Sequence, residues 1–141
     1  MSDLLRKLDD ECLSLIIMNQ GVLIFSSSKE GMLPLLEVIE KIDASKLLDS
    51  IVVDKMVGKA AALLICIFKA KKLYTKIMSL KAIQVLDEYG IEYSTEKIIP
   101  DILNKFGTDI CPFEKTVYDT NSPEEGYKRL QELAKNLKKI C

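Results

Sequence analysis

Asp54, Lys55, Gly58 and Lys59 crowd the entrance to the longest uninterrupted apolar run in the chain, Ala60 to Phe68. The first backbone N–H groups of a helix lack internal partners and carry the positive end of its dipole, so a helix start bearing two lysines suits a phosphate or a carboxylate. The plainer reading has Asp54 capping that helix and both lysines pointing into water. Cys111 and Glu114 form a second candidate pair. A thiol at a helix start has its thiolate stabilised and becomes nucleophilic where solvent reaches it. Against this stands a cysteine packed as a small apolar residue between Ile110 and Pro112. Glu114 is either a base or the third residue of a helix completing its own cap.

Other chemistry is missing. The chain has no histidine, which removes Ser-His-Asp and Cys-His nucleophile pairs and leaves a carboxylate, a lysine or a thiolate as general base. Its four cysteines, Cys12, Cys66, Cys111 and Cys141, lie far apart with no CxxC pair, so no structural or catalytic zinc and no other cofactor is expected. The segment Gly58-Lys59-Ala60 fails as a phosphate loop, because Val53 stands where that motif needs glycine and Ala60 where it needs Ser or Thr.

These residues need a frame. At 141 residues the chain fits one domain, 1–141, large enough to hold a core without disulfides or metal. Its 20 basic and 21 acidic residues give a net charge of -1, which lacks the basic excess of a nucleic-acid surface. The amino terminus has charges among its apolar residues and no signal-peptide core, which points to the cytoplasm and reduced thiols. Ala60 to Phe68 is too short for a membrane span, which needs roughly 20 apolar residues.

Leu4, Leu5, Leu8 and Cys12 share one helical face, with Ser2 as a cap. Two apolar runs, LSLIIM and VLIF, flank Asn19-Gln20-Gly21 and read as a β-hairpin whose strands are covered on both sides, since neither alternates. A serine-rich loop, Ser26 to Gly31, leads to a helix with Leu35, Leu36, Ile39 and Ile42 on one face. Its hydroxyls could hold an anion, or serve only as caps and turns. Leu47 to Val53 is either extended chain or a strand. The apolar run from Ala60 reads as a helix buried all round, its three alanines favouring that conformation. LYTKIM then forms a strand, Ser79 caps a helix that Gly90 ends, and IEYSTEKII forms another strand. Right-handed crossovers make these strands parallel. After the loop NKFGTD, Pro112 opens a helix with Cys111 at its cap. Ser122 and Glu125 form a capping box for the last helix, whose one face carries Tyr127, Leu130, Leu133, Ala134, Leu137 and Ile140.

The order hairpin, buried helix, strand, capped helix, strand resembles the cytidine deaminase fold. That fold's zinc enzymes open the first of these helices with His/Cys-x-Glu and the second with P-C-x-x-C. Laid on this chain, the resemblance puts Lys59 near the histidine, Ala61 near the glutamate, and Lys81 and Gln84 near the two cysteines. Through DKMVGKAAALL, IMSLKAIQVLDEYGI and NKFGTDICPFEK, the chain resembles an uncharacterised family of small prokaryotic proteins grouped with that fold but lacking its zinc motifs. The resemblance implies a fold and no activity.

The expected architecture is therefore a three-layer α/β/α domain, helices on both faces of a mixed sheet that begins with an antiparallel hairpin. The expected function is binding of a nucleotide-like or other anionic small molecule at Asp54, Lys55, Gly58 and Lys59, with zinc-dependent deamination not expected from the donor set. The alternatives are an enzyme using Cys111, with Glu114 as a weaker catalytic candidate, and a homodimer that works by association through an open sheet edge.

Overall fold

The computed structural model describes residues 2–140, with side chains described for 3–137. The expected Ser2 cap, Cys141, and the side chains of Lys138, Lys139 and Ile140 lie outside that description. Five strands form one sheet in the order β2-β1-β3-β4-β5. These are β1 (Leu15–Asn19), β2 (Val22–Ser27), β3 (Ile51–Val57), β4 (Lys72–Ser79) and β5 (Glu92–Ile99). The hairpin forms as its turn residues dictate, with Gln20 at φ 51° and Gly21 at φ 78°, the left-handed pair that a two-residue turn of matching twist requires. β1 pairs antiparallel with both β2 and β3, whereas β3, β4 and β5 run parallel.

The two parallel connections are α4 (Lys59–Phe68) and α5 (Leu80–Glu88). Both steps go the same way along the sheet, so right-handed crossovers put both helices on one face. There α2 (Leu33–Lys41) and α7 (Pro123–Ile140) join them, with the short α6 (Pro112–Thr116). Among the described residues the opposite face is covered by α1 (Ser2–Asp10) alone, whose Leu5 and Leu8 pack on Ile16 and Val53. The three layers are present and lopsided.

α4 is the hub. Every residue from Lys59 to Cys66 and Phe68 is buried, as an apolar-all-round segment demands. The helix stops where Lys69 turns left-handed at φ 57° and its N–H bonds back to Cys66. Ser79 caps α5 by accepting the Ala82 N–H at 3.1 Å, and Gly90 ends it at φ 72°. At the last helix Ser122 accepts the Glu125 N–H at 3.2 Å. The other half of that box is not made, because the Glu125 carboxylate bonds Arg129 one turn on.

Four expectations change. The stretch Leu47 to Val53 divides between a four-residue helix, α3 (Ala44–Leu47), and β3. β3 then runs on to Val57, so Asp54 and Lys55 are strand residues and do not start the helix. Gly58 occupies the cap position instead. β1 is buried on both faces, but β2 lies at the sheet edge with Val22 61% and Leu23 49% exposed. An edge strand has a neighbour on one side only, which a continuous apolar run does not reveal. On α2, Val38 is fully buried and Ile39 only partly so.

Candidate functional site

The chain approaches α4 through a point of unusual closeness. Gly58 sits at φ -101°, a conformation open to any residue, so glycine is required for space. A Cβ there would lie 2.2 Å from Glu114 Oε1 and 2.6 Å from Ile102 Cγ1. The Glu114 carboxylate fills that space and accepts two backbone bonds, from the Lys59 N–H to Oε1 at 2.8 Å and from the Ala60 N–H to Oε2 at 2.7 Å. The first two orphan donors of the buried helix are thus satisfied by a side chain 55 positions away. Within α6, Glu114 completes no cap of its own. The Cys111 N–H bonds the Ile102 carbonyl at 3.0 Å, so nothing there calls for it. Burial raises the Glu114 pKa, with the two amides and then Lys81 and Lys59 pulling the other way.

Beside this cap a cleft of about 650 Å³ opens beyond the carboxyl end of β3, the usual position for a ligand in a sheet with parallel crossovers. Met32, Met56, Ile102, Leu103, Phe106 and Phe113 make its wall largely apolar, and Asp54, Cys111 and Glu114 face it as well. Desolvation pushes the Asp54 carboxyl up to about 7, against the opposing pull of the Lys55 and Met56 amides.

A second, smaller recess of about 280 Å³ lies between the starts of α4 and α5, lined by Lys59, Lys81, Gln84, Tyr118, Asp119 and Asn121. Lys59 is 7% exposed, and its ammonium donates to the Tyr118 carbonyl at 3.0 Å. Lys81 pairs with Asp101 at 3.3 Å and rests 3.8 Å above the Tyr118 ring. Asp119 bonds Arg129 at 2.6 Å, which lowers its pKa.

A family model for TM1506, described as a domain of unknown function (DUF1893), matches residues 3–134. The chain belongs to the DUF1893 family. Among solved structures it is similar to a DUF1893 family protein (TM1506) from Thermotoga maritima, at 35% identity, over 93% of this chain and 87% of that one, with a TM-score of 0.84. No curated protein matches it.

In this DUF1893 chain the residues expected to act together are split. Asp54 and Gly58 face the cleft, Lys59 turns into the recess, and exposed Lys55 lines neither. Cys111 and Glu114 share the cleft wall, where Cys111 is half-buried. Among the described residues no group of three His, Cys, Asp or Glu side chains comes close enough to hold a metal. The recess that gathers Lys59, Lys81 and Gln84 does not fit zinc either, since two ammonium groups repel a divalent cation and offer it no lone pair. Among the described residues no helix is long and apolar enough to cross a membrane.

Sequence reasoning missed Glu114 as the cap of another helix, the Asp119–Arg129 pair, and the Met56, Ile102 and Phe106 wall. Glu114 carried a signal, its place at the third position of a helix, but that signal points to a local cap. The cysteines make a simple test. Cys66 is buried and its thiol is pushed up to about 12, whereas Cys12 is exposed. Iodoacetamide at neutral pH is therefore expected to label Cys12 and Cys111 and to leave Cys66 untouched until the chain is unfolded, as peptide mass mapping would show.

Proposed function

We propose that this DUF1893 protein is a cytoplasmic binding module on a cytidine-deaminase-like frame, without that fold's zinc chemistry, and that its cleft takes a small planar molecule of the nucleobase or nucleoside class. The frame is supported by an antiparallel hairpin leading into three parallel strands joined by α4 and α5. One observation carries the ligand. The cleft is of ligand size and apolar, with a carboxyl group at Asp54 that titrates near 7 and so donates or accepts a hydrogen bond at neutral pH.

The anionic ligand expected at the helix start is disfavoured in this cleft. Glu114 already holds the Lys59 and Ala60 N–H groups. Among the described residues the cleft is lined by Glu30, Asp54 and Glu114 against Lys105 alone of the cations. A neutral heterocycle meets no such repulsion. Wild-type protein is expected to gain thermal stability with one member of a panel of nucleobases and nucleosides, and Asp54→Asn to lose most of that gain. A wild type that shifts with no compound of the panel overturns the reading. Cys111 on the same wall supports a second reading, a thiol-dependent enzyme, for which alkylation no faster than that of Cys12 would remove the basis.

Asp54 also predicts a pH effect. Its folded pKa of about 7 lies above the ordinary 3.8. Between these values the folded protein keeps a proton the unfolded chain has lost, so this group's contribution to stability falls as pH rises and levels off above about 7. Asp54→Asn should remove that slope. Its melting temperature relative to wild type is expected to climb from about pH 5 to about pH 8 in calorimetry.

A further inference from the structure

We propose that the recess between the starts of α4 and α5 binds a small oxyanion of the phosphate class, held by the ammonium groups of Lys59 and Lys81 and by the amides of Gln84 and Asn121. This site is separate from the apolar cleft, and its standing does not depend on what the cleft binds.

The carrying observation is the buried cation. An ammonium taken out of water is costly unless a carboxylate or another anion meets it. Lys59 is 7% exposed, yet among the described residues its ammonium forms no ion pair and donates a hydrogen bond only to the neutral Tyr118 carbonyl. Two of its three donors remain for a ligand. The neighbouring carboxylates are committed elsewhere. Asp119 bonds Arg129, Asp101 meets Lys81 at 3.3 Å, and both oxygens of Glu114 are taken by backbone N–H groups.

The second observation is the gathering of donors. Two lysines and two carboxamides line one cavity of about 280 Å³ together with Tyr118 and with Asp119, whose carboxylate is bonded to Arg129, a space sufficient for a phosphoryl group and its water. Burial and then the neighbouring Lys81 charge lower the Lys59 pKa, with Glu114 and Asp119 pulling the other way. An anion between them would relieve that repulsion. Lysines are point charges that suit a phosphate better than a carboxylate, which prefers the planar fork of arginine.

The test is isothermal titration with inorganic phosphate at ionic strength held constant with sodium chloride. Wild type is expected to bind saturably. Lys81→Gln, which removes a partly exposed charge, is expected to weaken binding at least about tenfold. Lys59→Met keeps the buried stem, and should abolish binding while matching or exceeding the wild-type melting temperature in phosphate-free buffer, because an unpaired buried charge is gone. Acetate titrated in the same way is expected to give no saturable signal. Wild type that binds no phosphate above the chloride background overturns the proposal, as does Lys81→Gln binding with wild-type affinity. Acetate binding equal to phosphate overturns the phosphate class.

Discussion

Replacing Gly58 by alanine is expected to destabilise the protein by about 2–4 kcal/mol, read as a lower urea midpoint at unchanged slope. The backbone at φ -101° accepts alanine without strain. The cost comes from the new Cβ, which would stand 2.2 Å from Glu114 Oε1 and 2.7 Å from its Cδ. Glu114 stands on the cleft wall, so it can give way only by swinging toward the cleft and out of its bonds with Lys59 and Ala60. Each such bond to a charged group contributes about 1.5–3 kcal/mol, and a buried donor left empty carries its full desolvation penalty. Glu114→Ala should therefore cost about as much, and Glu114→Gln roughly half, since an amide has one accepting oxygen for two donors. The decisive measurement is the double-mutant cycle. With Glu114 already removed, Gly58→Ala is expected to cost less than about 1 kcal/mol, a strong coupling between residues in contact. Additive losses would assign the clash to Ile102 and remove Glu114 from the account.

Leu64→Ala should destabilise the fold by about 3–4 kcal/mol and lower its melting temperature by roughly 10 °C. Leu64 is fully buried in α4, at the centre of the cluster that joins α2, α5 and α7 to the sheet. Alanine is at least as good a helix former as leucine, so the loss measures packing and cavity formation, not helix propensity. Leu137→Ala is the comparison. At 37% exposed near the end of α7, it should cost less than about 1 kcal/mol. Equal losses at the two sites, measured by urea unfolding, would mean that α4 is not the hub.

Much of the frame was legible in the sequence. Hairpin, buried helix, capped α5 and terminal α7 were all marked by signals that act within a few residues: Gln20-Gly21 at the turn, Ser79 at a cap, Gly90 at a stop, Ser122 ahead of Pro123. Such signals fix local dihedral angles before any tertiary contact forms. They failed where a neighbour decides the outcome. β2 reads as a core strand and lies exposed at the sheet edge, where among the described residues no strand pairs with its outer side. Asp54 and Lys55 read as a helix start and extend β3, because pairing of β3 with β4 carries the strand to Val57.

The candidate sites divide in the same way. Composition alone narrowed the chemistry to expect, since a chain without histidine or a CxxC pair has no imidazole base and none of the usual zinc-ligand spacings. It also set the polar and apolar segments around Gly58, and with them where to look. Only the folded chain decided that Lys59 turns away from Asp54, and that Glu114 reaches across 55 positions to cap a helix not its own. Hydrogen bonds between distant segments leave no period and no spacing along the chain. They arise because a buried helix end must find an acceptor, and close packing of the core determines which residue stands near enough to supply it.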